Sequence, residues 1–341
     1  MTRKYNYACS TCGSKLQKRG LTAAGTQRWY CVKCAKSSVR SRPDLERKLL
    51  LERFIKWILG RETQKEVAKR RSSYSESTWR RQTAWCWDVR PARQIKNLSS
   101  LLTPAIVLLD GIRIDPMVCL IARTIDGVLA WHYVPWESSV MWEQLLYLIP
   151  APVVVVSDGQ KGILLAIARC WPNTRIQRCH FHIWQNIRVK LTLRPATPAG
   201  IELLALTKEL LKGIHTLEQR DEWIAKLKHF GIRYDQFLKQ RTYHPNPSPS
   251  GKKWWYTHGR VRSAYRQLEK LLDDQQLFTY LEITPLDKNT GEIVTVPRTT
   301  NYVEGGINSP LRDRLKIHRG LRPEHQFVLV DWYLHCRKMK G

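Results

Sequence analysis

The chain has 341 residues, 43% hydrophobic and 25% charged, a globular composition that excludes a disordered basic tail. Its 57 Lys and Arg against 29 Asp and Glu leave a formal charge of +28, and 24 of those basic residues but only 7 of the acidic ones fall in the first 100. Such an excess points to a polyanion partner, nucleic acid before a lipid surface, and no apolar run approaches the ~18 residues of a bilayer span.

The opening Met1-Thr-Arg-Lys4 lacks the apolar stretch of a secretory signal. Nine cysteines, an odd count, argue against a disulfide framework and for a reducing cytoplasm. Four of them form Cys9-x2-Cys12-x18-Cys31-x2-Cys34. Each Cys-x2-Cys folds as a knuckle whose amides face the sulfurs, and two knuckles supply four thiolates to one tetrahedral Zn²⁺. The residues between them read as a hairpin around the Gly20–Gly25 turn. So small a segment buries little, so the metal must contribute its folding energy. The expectation is a zinc ribbon over 1–40.

Residues 36–43 read as a short basic linker. Helical spacing follows over 44–59, with Leu45, Leu49, Phe54, Ile55 and Ile58 on one face and Gly60 as the stop. A second short helix spans 62–71 with Val67 and Ala68 inward, and 72–75 is a turn. Ser77 is positioned to cap a third helix over 78–87, with Trp79 and Cys86 inward and Arg80 and Arg81 outward. Three short helices ending in a basic one resemble a helix-turn-helix unit over 44–95, whose last helix enters the major groove. A plain helical bundle with a basic face gives the same pattern.

From residue 100 strands take over. Runs at 105–109, 117–121 and 128–133 are separated by Asp110-Gly111 and Asp126-Gly127 and read as three consecutive antiparallel strands. A helix over 138–149 places Trp142, Leu145, Leu146 and Ile149 inward, and Val153–Val156 reads as a central strand. A helix over 160–171 and a strand near 175–177 complete a mixed α/β sheet covered on both faces. Residues 186–290 are mostly helical, with helices at 201–214, 217–230 and 263–272 and a stiff Pro-rich stretch at 244–251; 299–341 returns to helix.

Asp110 ends the first strand in this reading and Asp158 the fourth. In such sheets these strands are neighbours, so the two carboxylates reach the same pair of divalent ions. Oxygen ligands suit Mg²⁺ or Mn²⁺, and two ions activate the attacking oxygen and stabilise the leaving one. Glu304 is the candidate third carboxylate: Asn301, Glu304 and Asn308 fall at i, i+3 and i+7, one helical face. Asp-Gly pairs also serve as plain turn residues. Gly305-Gly306 and Pro310 are poor interior helix residues, so a break near Asn308 is expected, with Ser309 capping a new helix begun by Pro310. Cys179 and His182 stand at i, i+3, positioned to hold a phosphate or support the site; His180 cannot join them in a second zinc site. Lys252, Lys253, Trp254, Trp255, Arg260 and Arg262 mix cations with aromatics, suited to phosphates and base stacking, although the rings could equally be core.

These residues carry a resemblance. Ser157-Asp158-Gly159 is followed by Gly162, Ala166-Ile167 and Trp171-Pro172; then come Gln177-Arg-Cys179-His-Phe-His182 with Asn186, Thr299-Thr-Asn301-Tyr-Val-Glu304 with Asn308, His318-Arg-Gly320 and Trp332. From about residue 105 onward the chain resembles the Mutator-type transposases of bacterial insertion sequences, DDE recombinases with a ribonuclease-H-like core. The resemblance implies that Asp110, Asp158 and Glu304 are catalytic ligands of two Mg²⁺ or Mn²⁺ ions. It implies a core over 100–185 and 296–341 interrupted by an all-helical insertion over 186–295. It implies an enzyme binding double-stranded DNA, both terminal inverted repeats and target, as a homo-oligomer near the nucleoid of a prokaryotic cytoplasm. A ribonuclease-H-like nuclease or resolvase, and a domesticated DNA-binding regulator, are the competing readings.

Overall fold

A computed structural model describes residues 8–9, 11–39, 43–69, 75–92, 103–245, 251, 253–287 and 291–337. Lys252, the turn at 72–74, residues 40–42 of the expected linker and 246–250 of the Pro-rich stretch lie outside the described residues. So does the Leu45 side chain. The chain divides into two compact units, Met1–Val89 and Arg90–Gly341.

The first unit opens with a three-stranded antiparallel sheet of β1 (Gln17–Leu21), β2 (Gln27–Cys31) and β3 (Lys36–Val39) in that order. Little of it is buried beyond Trp29 and the cysteine side chains. Cations lie on its rings, Lys18 Nζ 5.9 Å from Trp29 and the Arg19 guanidinium 4.2 Å from Tyr30. Three helices follow, α1 (Pro43–Ile58), α2 (Gln64–Lys69) and α3 (Glu76–Thr83), the last continued by a 3-10 turn over Ala84–Asp88. Aromatic edge-to-face contacts hold them, with Phe54 and Trp87 centroids 4.6 Å apart and Trp57 and Trp79 6.1 Å apart. Phe54, Ile58, Ala68, Trp79 and Cys86 are buried as their spacing predicts, while Leu49 is exposed. The α3 cap is Ser75 rather than Ser77: the Thr78 N–H donates to Ser75 Oγ at 3.2 Å, which starts the helix two residues earlier.

The second unit is built on a five-stranded mixed sheet. Its strands are β4 (Ile106–Ile114), β5 (Met117–Arg123), β6 (Val128–Val134), β7 (Val154–Ser157) and β8 (Arg175–Arg178), in the order β6-β5-β4-β7-β8. β4–β5 and β5–β6 are antiparallel; β4–β7 and β7–β8 are parallel. Helices α4 (Ser139–Leu146) and α5 (Lys161–Cys170) cover one face, burying Trp142, Leu145, Leu146, Ile163 and Ile167 against Val107, Leu109, Leu120 and Val155. On the other face Ile106, Leu108, Val154 and Val156 meet Val296 and Val303.

A helical block follows: α6 (His180–Leu191), α7 (Pro198–Lys212), α8 (Leu217–Arg233), α9 (Asp235–Lys239) and α10 (Gly259–Asp273). It has its own core around Leu203, Leu210, Trp223, Phe230 and Leu268. The block is not the all-helical insertion that the resemblance implied: β9 (Arg241–Tyr243) and β10 (Trp254–Tyr256) pair as an antiparallel hairpin within it, and α11 (Thr279–Glu282) leads back to the sheet. The chain closes with α12 (Asn301–Val303), a wide π turn over Glu304–Asn308, α13 (Ser309–Ile317) and α14 (Pro323–His335). Buried Asp331 of α14 accepts hydrogen bonds from Trp131 Nε1 at 2.8 Å and Tyr133 Oη at 2.9 Å on β6. No described helix is long and apolar enough to cross a membrane.

Two expectations change here. Asp110-Gly111 is not a turn: β4 runs straight through it, Asp110 pairing with Ile121 and Gly111 with Leu120, and the hairpin turns at Asp115-Pro116 instead. The apolar alternation resumes at Ile112 and Ile114, both buried, and that pattern outweighs the local turn preference of Asp-Gly. Nor does Ser309 cap a new helix after a break. Asn308 and Ser309 both keep helical angles, and the i to i+5 turn lets the backbone pass Gly305-Gly306 and reach Pro310 without leaving the helix.

Candidate functional site

The parallel pairing of β4 with β7 sets the site. Leu108 pairs with Val156, so residues two further on, Asp110 and Asp158, stand at one level beside each other. Asp110 is 7% exposed. The Gly111 N–H donates to its Oδ1 at 2.9 Å, and Asn308 Nδ2 donates to its Oδ2 at 3.2 Å. Burial pushes the Asp110 carboxyl up to about 7, opposed by His182 and reinforced by the charges of Asp158 and Glu304. Asp158 Oδ1 accepts from the Gln160 N–H at 3.0 Å.

Glu304 enters from the far end of the sequence. Its Oε2 accepts from the same Asn308 Nδ2 at 3.1 Å, and its Oε1 pairs with Arg312. Burial alone would raise its carboxyl, but Arg312 and Asn308 outweigh it and hold Glu304 below the usual range. Asn308 is fully buried, so one amide ties two carboxylates together. Asn301 is exposed, its N–H 3.4 Å from Thr299 Oγ1.

Asp110, Asp158 and Glu304 line one cleft of about 460 Å³. Among the described residues the group of three or more His, Cys, Asp or Glu whose ligand atoms all lie within 4.8 Å of one another is the four cysteines. The carboxylates therefore face a shared space wider than the shell of a single ion. The donor set is all oxygen, the kind a hard divalent cation takes. A carboxyl raised by burial, with neighbouring negative charge adding, is one that a cation would ionise.

Cys179 is fully buried at the start of α6. Its Sγ accepts from Thr300 N at 3.3 Å and Thr300 Oγ1 at 3.4 Å, tying the β8–α6 junction to the segment that carries Glu304. His182 lines the cleft. Cys179 beside it is the main cause that raises its imidazole to about 9, against burial, with Asp110 and Asp158 adding. Cys179 and the two aspartates thus favour the protonated form of His182. His180 instead turns into the fold, where its Nε2 lies 2.8 Å from the Leu277 carbonyl oxygen.

Three charged cleft residues have no assigned part in the sequence reading: Glu137, Arg178 and Arg312. Glu137 follows β6, and its carboxylate lies over Gly111, where a Cβ would come within 2.7 Å of Oε1. Burial first, then Asp158, raises its carboxyl. Its one sequence signal is its place just ahead of Ser138, the α4 cap. Arg178 stood inside the Gln177–His182 motif without an assigned part.

In the first unit the Cys9, Cys12, Cys31 and Cys34 sulfurs converge within 4.8 Å. The Thr11 N–H points at Cys9 Sγ and the Cys34 N–H at Cys31 Sγ, both at 3.4 Å, the amide-to-sulfur pattern of paired knuckles. Hydrogen bonding to Cys12 and then burial push the Cys34 thiol up. Four thiols this close cannot all ionise without a cation, and four sulfurs suit zinc.

The candidate DNA-contacting side chains differ among themselves. Arg80 is held by Gln64 Oε1 at 2.9 Å and Glu76 Oε2 at 3.0 Å, whereas Arg81 is exposed on α3. On the β9–β10 hairpin the Arg241 guanidinium covers Trp254 at 4.0 Å, and Arg262 covers Tyr256 at 4.0 Å while donating to the Leu238 carbonyl. Lys253, Trp255 and Arg260 are exposed.

Residues 122–232 match the model of the family described as Transposase, Mutator family. That is the resemblance read from the sequence, and it stands over this stretch, which includes Asp158, Arg178, Cys179 and His182; Asp110 and Glu304 lie outside it. Transposases are enzymes of DNA transposition, and it is to them that this stretch is similar. No curated protein matches the chain.

Proposed function

We propose that the protein is a DDE transposase that binds the terminal inverted repeats of an insertion sequence, cleaves DNA strands there and joins them to target DNA. The observation that carries this reading is the lining of one cleft by Asp110, Asp158 and Glu304, two of them bridged by Asn308. The β6-β5-β4-β7-β8 order, three antiparallel strands followed by two parallel ones, supports a ribonuclease-H-like core over 100–185 and 296–341, with 186–295 as a helical insertion.

Asp110, Asp158 and Glu304 would hold two Mg²⁺ or Mn²⁺ ions, which supply Lewis-acid activation of the attacking oxygen and stabilisation of the leaving one. The chain's own groups do the rest. Asn308 fixes the spacing of Asp110 and Glu304. Arg312 keeps Glu304 ionised. The His182 imidazolium offsets the crowded negative charge. The reaction needs no covalent protein–DNA link: water attacks one phosphodiester in line, freeing a 3′-OH and leaving a 5′-phosphate on the other strand end; that 3′-OH then attacks a target phosphodiester, forming a new P–O bond as the target's own 3′-oxygen leaves as a 3′-OH.

Residues 1–40 act as a structural zinc ribbon on Cys9, Cys12, Cys31 and Cys34, and residues 44–95 as a helix-turn-helix unit. Together they read the inverted repeats, with Arg80 and Arg81 facing the DNA. Lys252, Lys253, Trp254, Trp255, Arg260 and Arg262 add contacts from the insertion, and Cys179, His182 and Asn301 support the site. The protein works as a homo-oligomer that holds two ends.

The test incubates the protein, Mg²⁺ or Mn²⁺ and end-bearing DNA with a target plasmid. Joined molecules are expected, and Asp110→Asn should lower cleavage by about three orders of magnitude while end binding stays within about twofold. Cleavage without joining would make the protein a nuclease or resolvase. Binding without either would make it a regulator.

A further inference from the structure

Among the arginines lining the cleft, Arg312 is paired with Glu304. Arg178 is not so paired. The residue is 8% exposed, yet among the described residues no carboxylate lies within ion-pair distance of it. Its Nη2 donates to the Asp158 carbonyl oxygen at 2.8 Å, and its Nε has no hydrogen-bond partner. The charges of Asp158 and Asp274 offset part of its desolvation, but Nε remains a buried donor with no acceptor, which carries a free-energy cost.

The fold makes room for it deliberately. Gly159 has φ +73, and a Cβ there would sit 1.8 Å from Arg178 Cζ and Nε. The loop after Asp158 therefore closes over the guanidinium only with glycine in place. Two residues beyond Arg178, α6 begins; the His180 N–H donates to the Arg298 carbonyl oxygen at 3.0 Å, and no side-chain cap hydrogen bond is made at this helix start. A helix N-terminus carries partial positive charge and suits an anion.

We infer that Arg178 and the start of α6 form a seat for an oxyanion in the cleft, and that its occupant is a phosphodiester group of the DNA. This rests on the cleft being the site of strand chemistry. An incoming phosphate meets Asp110, Asp158 and Glu304, so a cation of the chain itself has work to do there. Arg178 supplies it without competing for the carboxylate oxygens, because its hydrogen bond goes to the Asp158 main chain. It is a binding and positioning group: it draws the backbone to the carboxylates and fixes how the phosphate lies. Its planar fork, rather than charge alone, sets that orientation.

The full-length protein, Arg178→Lys, Arg178→Gln and Gly159→Ala are melted in metal-free buffer with inorganic phosphate, sulfate or chloride at matched ionic strength. The readout is the anion-dependent rise in midpoint, so a variant that simply melts lower does not affect the result. Phosphate and sulfate should raise the wild-type midpoint above that in chloride. The rise should vanish in Arg178→Gln and shrink by about half or more in Arg178→Lys and Gly159→Ala. With Mn²⁺ and end-bearing DNA, Arg178→Gln should raise the KM for DNA by about tenfold, with Arg178→Lys between it and wild type. No anion-specific rise in the wild type, or an equal rise in Arg178→Gln, overturns the seat. A rise lost in Arg178→Gln with no DNA cleaved by any form keeps the seat and sinks the strand-cleavage reading instead.

Discussion

The four-cysteine cluster and the carboxylate cleft are two ways of gathering acidic side chains of a kind that can bind a cation. The cysteines lie within residues 9–34, and two Cys-x2-Cys knuckles bring them together with almost no buried surface around them. The carboxylates come from residues 110, 158 and 304, and it takes a parallel strand pairing, a π turn and a covered sheet to bring them to one cleft. In the cleft, protein groups already balance the charge: Asn308 bridges two carboxylates, Arg312 pairs with one, and His182 stands among them. In the cysteine cluster nothing but a bound cation would do so. A ligand set close in sequence can leave its folding to the metal, whereas one spread along the chain must be built before the metal arrives.

The largest expected effect follows from that contrast. Stripping zinc with a chelator should unfold residues 8–39, make all four thiols reactive to alkylating reagents and weaken specific end binding by about a hundredfold or more. The melting of the unit from Arg90 onward should not move. Thiol labelling and calorimetry on the full chain check both halves. Protected cysteines after zinc removal, or a shift in the second unit's melting, would erase the distinction between the two sites.

A smaller effect probes the cleft's own bracing. Asn308→Ala removes the donor shared by Asp110 and Glu304 and should lower cleavage by about tenfold to a hundredfold, the scale of one hydrogen bond to a charged group. Asn308→Asp, adding a carboxylate to the cluster, should fall further. The cysteine unit's end binding should be unchanged in both, as measured by anisotropy. Cleavage within about twofold of wild type in Asn308→Ala would mean that the bridge is incidental.

The same contrast explains what the sequence disclosed. The cysteine spacing was legible because each knuckle is a local event. The buried β7 run and the inward set Trp142, Leu145, Leu146 and Ile149 were legible because one face repeats at a fixed period. Asp110 was found for its chemistry but misplaced as a turn residue. The long-range pairing with Ile121, not any neighbour, keeps that strand going. Glycines 305 and 306 read as a break because no local pattern announces a π turn, and Asn308 gains its bridging position from that turn. Ser77 reads as the cap because a serine ahead of a helical run is a local signal, and it takes the extended backbone at Ser75 to show that the Thr78 N–H goes to Ser75 Oγ instead. Glu137 and Arg178 carry no spacing signal: each matters for where strand order and a left-handed glycine put it.

The smallest effect separates binding from chemistry within the first unit. Arg80 is spent on Gln64 and Glu76, joining α2 to α3, so it has less charge to offer a phosphate; Arg81 is exposed on the same helix. Counterion release makes each phosphate contact worth about one unit in the slope of log K against log salt. Arg81→Ala should therefore flatten that slope by about one unit, and Arg80→Ala by clearly less, because an exposed cation already paired with a carboxylate gives up part of its pull on DNA. Cleavage at saturating DNA should be the same in both variants, since neither residue lines the cleft. If Arg80→Ala flattened the slope as much as Arg81→Ala, the Glu76 pair would have to open on DNA. The fixed arrangement of α2 and α3 would then describe the free protein only.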